Sequence, residues 1–243
     1  MIAVGIDIGG TAVKAGLVDT EAGELIGERQ RVPTPAGGAP QDVLVLVSGM
    51  VADLSPDAPV GIGFPGPVVH GTITAATHLA DAWIGCDARH FFGSALGRRC
   101  EVLNDADAAG GAEMRFGAGV GEDGVALMLT LGTGIGSALF VDGRLVPNLE
   151  FGHIEIDGHV AETRAAARNR DEEHLSWNEW AARLERYLRR IDELVWPDVI
   201  ILGGEVTVDA ARFVPLLDIR PRIKIATMRN AAGVVGAAMA VAD

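Results

Sequence analysis

Two stretches of this chain read alike at a constant offset of 123 residues, D-I-G-G-T-A-V-K-A-G-L-V-D over 7–19 and T-L-G-T-G-I-G-S-A-L-F-V-D over 130–142. Gly9 and Gly132, Ala15 and Ala138, Val18 and Val141, and Asp19 and Asp142 coincide. Each stretch reads as strand, glycine turn, strand. The offset is close to half of the 243-residue length, so the simplest fold has two lobes, each opening with the same β-hairpin. A lone glycine turn would mean no more than a closed hairpin. Two of them facing a cleft would hold a chain of phosphates, because consecutive amides of a glycine-rich turn form an anion-binding concavity. The pair points to phosphoryl transfer.

The segments between the hairpins alternate in type. Ile2–Ile8, Ala12–Asp19 and Glu24–Arg31 read as strands; a Pro/Gly loop over 33–40 leads into an apolar helix over 43–54. Val60–Phe64 is a short buried strand that Pro65-Gly66-Pro67 cannot continue. A strand ends at Val102-Leu103, and Asn104 or Asp105 caps a helix that runs to Phe116 before Gly117. Ser176 with Glu179 forms a capping box for a helix whose Trp180, Leu184, Tyr187, Leu188, Ile191 and Val195 share one stripe. Pro197 stops it, and Val199–Leu202 is a strand ending in Gly203-Gly204. Such alternation predicts α/β lobes with a mostly parallel or mixed sheet covered on both faces. The expected division is an N-terminal lobe over 1–103, with a small-residue helix over 229–243 packing back on it, and a C-terminal lobe over 104–228.

Charge and cysteine usage narrow the partners. Twenty basic against 33 acidic residues leave a net charge of −13, which argues against nucleic acid and anionic membranes. Cys86 and Cys100 lack metal-ligand spacing, so a reducing, cytoplasmic setting is expected. The strand expected from Ile2 leaves no room for a signal sequence, and the apolar tract over 231–242 is too short to span a bilayer.

The order and spacing of DIGGTAVK (7–14), GIGFPGPVVHG (61–71), AWIG (82–85), VLNDADAAG (102–110), LTLGTGIGSALFVDGRLVPNLEFGH (129–153), GHVAETRA (158–165) and NAAGVVGAA (230–238) resemble the ROK-type sugar kinases, and within them the polyphosphate glucokinases. The resemblance implies a two-lobed actin-like ATPase (ribonuclease H-like) fold with a central cleft. It also implies transfer of a phosphoryl group from inorganic polyphosphate, and in some members ATP, to the 6-hydroxyl of glucose. A sugar hydroxyl is a poor nucleophile, so a positioned carboxylate must take its proton. Asp105 matches the family's catalytic base. Asn104, Glu150, His153 and Glu162 match its sugar-binding residues. Gly9, Gly10, Thr11 and Lys14 from one hairpin, with Thr130, Gly132, Thr133 and Gly134 from the other, fall where the phosphates are cradled. Asp7 matches the residue that holds Mg²⁺ through water. Relatives are commonly homodimers, and the stripe around Trp180 and Tyr187 suits either an interface or packing within the chain.

His153, Glu155, Asp157 and His159 alternate as on one strand face, a pattern open to a metal site but commoner on a wet strand face. Many ROK proteins follow the histidine with a zinc-binding cysteine cluster. This chain lacks it, so no zinc is expected. Three departures bear on specificity. Thr77-His78 stands where the family carries an asparagine that contacts sugar. Glu205 replaces the third glycine of a G-G-G-V turn near the adenosine of ATP-using members. The lysines of the polyphosphate enzymes are missing after it, while Arg220, Arg222, Lys224 and Arg229, with Arg164, Arg168 and Arg170, offer a track for a long anion or a solvated surface. The alternatives are an ATP-dependent hexokinase that also accepts mannose or glucosamine, and a non-catalytic sugar sensor. Sensors of this family carry an added helix-turn-helix domain, for which the residues before the first strand leave no room.

Overall fold

A computed structural model describes residues 1–242, which form two compact units. The first comprises Met1–Ala112 and the chain from Ala231 onward; the second is Glu113–Asn230. In the first unit, strands β1 (Ile2–Ile8), β2 (Ala12–Asp19) and β3 (Glu24–Pro33) precede helix α1 (Pro40–Leu54). There follow β4 (Val60–Phe64), a small hairpin of β5 (Val68–Val69) and β6 (Thr72–Ile73), α2 (Ala88–Leu96), β7 (Cys100–Asn104) and α3 (Asp105–Phe116). The main sheet runs β3-β2-β1-β4-β7, antiparallel through the hairpin half and parallel from β1 through β4 to β7.

The second unit repeats this plan. Strands β8 (Val125–Leu131), β9 (Ile135–Val141) and β10 (Arg144–Val146) lead to a short hairpin of β11 (Glu155–Ile156) and β12 (His159–Val160). Helices α4 (Glu162–Ala165), α5 (Ala167–Glu172) and α6 (Trp177–Val195), strand β13 (Val199–Gly203), α7 (Ala210–Phe213) and β14 (Arg222–Ile225) complete it. Its sheet runs β10-β9-β8-β13-β14, with β9 antiparallel and β13 parallel to β8, the same order and directions as the first. Adding the offset of 123 to β1 gives 125–131, the bounds of β8. The duplication read from two hairpins thus extends to whole sheets.

The final helix, α8 (Ala232–Ala240), lies on the first unit's sheet. Close approach rather than side-chain interdigitation makes this contact. A Cβ on Gly5 would overlap the Val234 carbonyl oxygen, one on Gly61 the Ala237 carbonyl oxygen, and one on Gly236 the Ala108 carbonyl oxygen. Glycine is required there because two backbones meet. Ala108 in α3 lies under Gly236, and Ala109 and Ala112 are buried, so the first unit reaches into α3 as far as Ala112 rather than ending at residue 103. Of the helix expected over 229–243, Arg229–Ala231 forms a 3-10 turn and Asp243 lies outside the described residues.

Local signals account for most boundaries. The helix expected from Val43 begins at Pro40, because proline at the first helical position gives up an amide that has no intrahelical partner. The capping box at Ser176 is complete: Ser176 Oγ accepts from the Glu179 amide, and Glu179 Oε2 accepts from the Ser176 amide. Trp180, Leu184, Tyr187, Leu188 and Ile191 are buried within their own unit, so the aromatic stripe packs inside the chain rather than forming an interface. His153 to His159 is not one strand, because Asp157 and Gly158 take positive φ of 54° and 75° and reverse the chain between β11 and β12. Fully buried Glu113 accepts from the Ala118 amide at 2.8 Å, the Thr227 amide at 3.2 Å and the Met228 amide at 2.7 Å. No described helix is long and apolar enough to cross a membrane. Cys86 and Cys100 are free thiols, and burial pushes Cys100 up to about 11.

Candidate active site

The candidate residues of the first unit lie at the carboxyl ends of parallel strands, where open α/β sheets bind ligands. Asp7 lies near the end of β1, beside Gly63 of β4, and Asp105 follows the last residue of β7. A Cβ on Gly63 would sit 3.3 Å from the Asp105 Cα, so glycine lets these strand ends crowd together. Asn104 is buried and its Oδ1 accepts from the Asp107 amide at 3.0 Å, capping α3. Half-buried Asp105 has Oδ1 turned to the Ala106 amide at 2.8 Å.

The first glycine turn differs in detail from the expectation. The Gly9 amide donates to the Ala12 carbonyl at 3.1 Å, closing the turn, so Gly10 and Thr11, both exposed, remain as its outward groups. A Cβ on Gly10 would lie 2.7 Å from the His78 Cβ; the residue at the departure from the family pattern thus abuts this turn. Lys14 is not a solvated surface lysine. The β1–β2 register sets it opposite Asp7, and its Nζ donates to Asp7 Oδ2 at 2.9 Å. Gly233 of α8 covers the same carboxylate, with room for no Cβ beside Asp7 Oδ2.

In the second unit the turn between β8 and β9 is tighter. The Gly132 amide donates to the Gly134 carbonyl at 3.0 Å, which again removes one amide from the expected cradle. Gly132 and Thr133 are exposed, Thr130 and Gly134 half-buried. Nothing in the protein lies within 4 Å of where a Gly132 Cβ would stand, and its φ is not positive, so neither packing nor backbone strain calls for glycine there.

The three residues of this unit expected to bind sugar, Glu150, His153 and Glu162, lie together beside this turn. Glu162, 8% exposed, accepts from the Ile135 amide through Oε2 at 3.0 Å, and its Oε1 lies 3.7 Å from His153 Nε2. The His153 amide donates to the Glu150 carbonyl at 3.0 Å. Ser137, which the motifs did not single out, fastens the segment to β9: its Oγ donates to the Leu149 carbonyl at 2.6 Å and accepts from the Phe151 amide at 3.0 Å. A hydroxyl in the buried run Ile135–Val141 was the available signal. Burial raises the Glu150 pKa above its usual 4.5, with His153 opposing and Glu162 adding to the shift. Burial, and after it the charge of Glu162, also pushes the enclosed Tyr187 hydroxyl up.

The basic stretch at 220–224 is neutralised within the unit. Arg222 and Lys224 both bind Glu122, at 2.6 and 2.7 Å, and Arg220 binds Asp192 at 2.5 Å while lying over Trp196. Sequence proximity made these cations look like one patch, but their partners come from distant parts of the chain. Glu205 is exposed, directly after Gly204, where a Cβ would overlap the Leu131 carbonyl oxygen. Among the described residues no group of three or more His, Cys, Asp or Glu side chains is arranged to hold a metal.

The sequence profile described as the ROK family matches residues 3–165. The chain is 43% identical over 241 residues to the polyphosphate glucokinase of Mycobacterium tuberculosis (strain CDC 1551 / Oshkosh), covering 98% of this chain and 91% of that protein. It is 44% identical over 237 residues to the polyphosphate glucokinase of Mycobacterium leprae (strain TN), covering 97% and 73%. The crystal structure of the inorganic polyphosphate/ATP-glucomannokinase from Arthrobacter sp. strain KM superposes with a TM-score of 0.96 at 46% identity, covering 99% of this chain and 98% of that one.

Proposed function

Because the chain belongs to the ROK family, we propose that it moves the terminal phosphoryl group of inorganic polyphosphate to the 6-hydroxyl of glucose, giving glucose 6-phosphate. Its α/β architecture is that of the actin-like ATPases. One observation carries the reading, the likeness over nearly the whole chain to polyphosphate glucokinases.

In this reading Asp105 accepts the O6 proton as O6 attacks the terminal phosphorus; the bridging P–O bond breaks and the shortened polyphosphate leaves. Its place at the end of a parallel strand supports the role, and a positioned base contributes about 10²- to 10⁴-fold. Glu150, His153 and Glu162 hold the sugar hydroxyls, with Asn104 contributing its amide group. Gly10, Thr11, Thr133 and Gly134 receive phosphate oxygens, while Gly9, Thr130 and Gly132 shape the turns. Lys14 orients Asp7. Mg²⁺ keeps several waters and is bound by one or two carboxylates plus substrate phosphates, so Asp7, with Oδ2 steadied by Lys14, fits such an ion. When bound, the metal would neutralise charge on the donor's oxygens. We further propose a homodimer acting in the cytoplasm, as the family resemblance suggests.

A second reading adds ATP as donor and mannose as acceptor. The likeness to a polyphosphate/ATP-glucomannokinase favours it. A non-catalytic sensor has no comparable support. The test is glucose 6-phosphate formation with Mg²⁺ and long-chain polyphosphate or ATP, with Asp105→Ala as control. Turnover with polyphosphate that the substitution abolishes is expected. Turnover with ATP alone would move the protein to an ATP-dependent hexokinase, and none with either donor would overturn the kinase reading.

A further inference from the structure

We infer that Arg168 is a binding residue for the phosphate chain of the donor, a role resting on the kinase reading above. Three observations converge on it. The Arg168 amide donates to the Gly132 carbonyl at 3.1 Å, so the residue is fastened to the second glycine turn by its own backbone. Its guanidinium has no ion pair or side-chain hydrogen bond among the described residues. The turn it sits on presents open space where a Gly132 side chain would otherwise stand.

The missing partner is informative because acidic groups are plentiful. In a chain of net charge −13, the candidate cations of 164–170 and 220–224 are otherwise engaged. Arg164 bonds His159 Nε2 at 3.2 Å, and Arg170 binds Asp171 and lies 3.8 Å over the Trp177 ring. Arg220, Arg222 and Lys224 have the carboxylate partners described above. Of the acids nearest Arg168 in sequence, Asp171 is committed to Arg170 and Glu173 to Arg183 at 2.8 Å, while Glu172, one helical turn further along α5, makes no ion pair with Arg168. Arg229 also lacks a partner, but no contact ties it to the turn. Arg168 is half-buried, so holding an unpaired charge there costs more than on an open surface.

The chemistry selects the ligand class. A planar guanidinium donates in parallel to two oxygens of one phosphate or of neighbouring phosphates. A glycine turn can cradle the transferring group but carries no net charge. Arg168 would supply the charge that a condensed phosphate chain requires beyond that group.

The experiment is calorimetric titration of the full chain with inorganic tripolyphosphate, comparing the parent with Arg168→Gln, Arg168→Lys and Arg222→Gln, each checked for an unchanged melting temperature. Loss of a charge-assisted hydrogen bond weakens binding by about tenfold or more, so Arg168→Gln should do so. Arg168→Lys should fall between, and Arg222→Gln should bind as the parent does. Equal affinity in Arg168→Gln and the parent, or equal losses in Arg168→Gln and Arg222→Gln, would overturn the inference, as would no binding by the parent. Turnover is scored separately. Normal glucose 6-phosphate formation with unaltered affinity in Arg168→Gln would remove this contact alone, whereas loss of binding in a chain without kinase activity would keep the contact and remove the kinase reading.

Discussion

Glu162 touches both the strand after the turn and His153, proposed above to bind sugar, which makes it the most exacting place to test the architecture. One oxygen holds the Ile135 amide at 3.0 Å, immediately after the Gly132–Gly134 turn; the other lies 3.7 Å from His153 Nε2. Glu162→Gln keeps the volume and an acceptor for Ile135 but removes the charge. A hydrogen bond to a charged group is worth about 1.5–3 kcal/mol against about 0.5–1.5 for a neutral one. The difference, about 1 to 1.5 kcal/mol, corresponds to roughly a five- to tenfold rise in the KM for glucose. Glu162→Ala also leaves the buried Ile135 amide without its acceptor, a cost of about 1–3 kcal/mol. At roughly 2–4 °C per kcal/mol for a chain of this size, about 2 kcal/mol lowers Tm by roughly 4–8 °C. Because the bond ends on β9 beside the turn, the KM for polyphosphate should rise severalfold in Glu162→Ala as well. Steady-state kinetics in both substrates and a thermal melt provide the readout. Loss of glucose affinity with donor KM and Tm unchanged would refute the claim that this carboxylate organises the turn.

Asp105→Asn should lower kcat by about 10³-fold while leaving the KM for glucose within roughly twofold, since the base acts on the reacting proton rather than on the bound sugar. For Glu150, burial holds the folded-state pKa above 4.5. Its contribution to stability is therefore complete below the unfolded value and lost as pH rises through the folded one, whereas sugar hydroxyls donate to the carboxylate form. The kcat/KM for glucose should fall as pH drops through a value above 4.5, and Glu150→Gln should remove that limb; a pH–rate profile checks it. Gly61→Ala drives a methyl group into the Ala237 carbonyl oxygen and should cost about 3 kcal/mol, roughly 6–12 °C in Tm. Gly49→Ala, in α1 with nothing within 4 Å of the new atom, should instead stabilise by about 0.5–1 kcal/mol in the same melt.

Legibility in the sequence tracked the range of the interactions involved. The strands of both hairpins, the end of α3 before Gly117 and the box at Ser176 are set by residues within a few positions of one another, so pattern and spacing located them. Two shorter hairpins are equally local. Asp142-Gly143 and Asp157-Gly158 each take positive φ at both residues, the backbone that favours these dipeptides in two-residue turns, and each reverses the chain. Long-range partners were not readable. Nothing near Glu113 in the sequence announces that Thr227 and Met228 will donate to it, nor does the basic run at 220–224 announce Glu122 and Asp192. Lys14 sits between these cases: its place opposite Asp7 follows from the hairpin register once the turn length is known.

The way α8 completes the first unit sets an order on biosynthesis. The sheet surface bearing Gly5 and Gly61 receives its cover only from residues 232–240, which leave the ribosome after the whole of 113–230 has been made. At roughly 5–20 residues per second that interval is on the order of ten seconds. During it the nascent chain carries an unfinished sheet whose glycine-lined face excludes ordinary side chains but accepts another closely approaching backbone. The contiguous second unit has no such wait. The unit bearing Asp7 and Asp105, although synthesised first, is therefore the last to acquire its complete core, and its exposure to chaperones and proteases is fixed by the length of the insertion it must outlast.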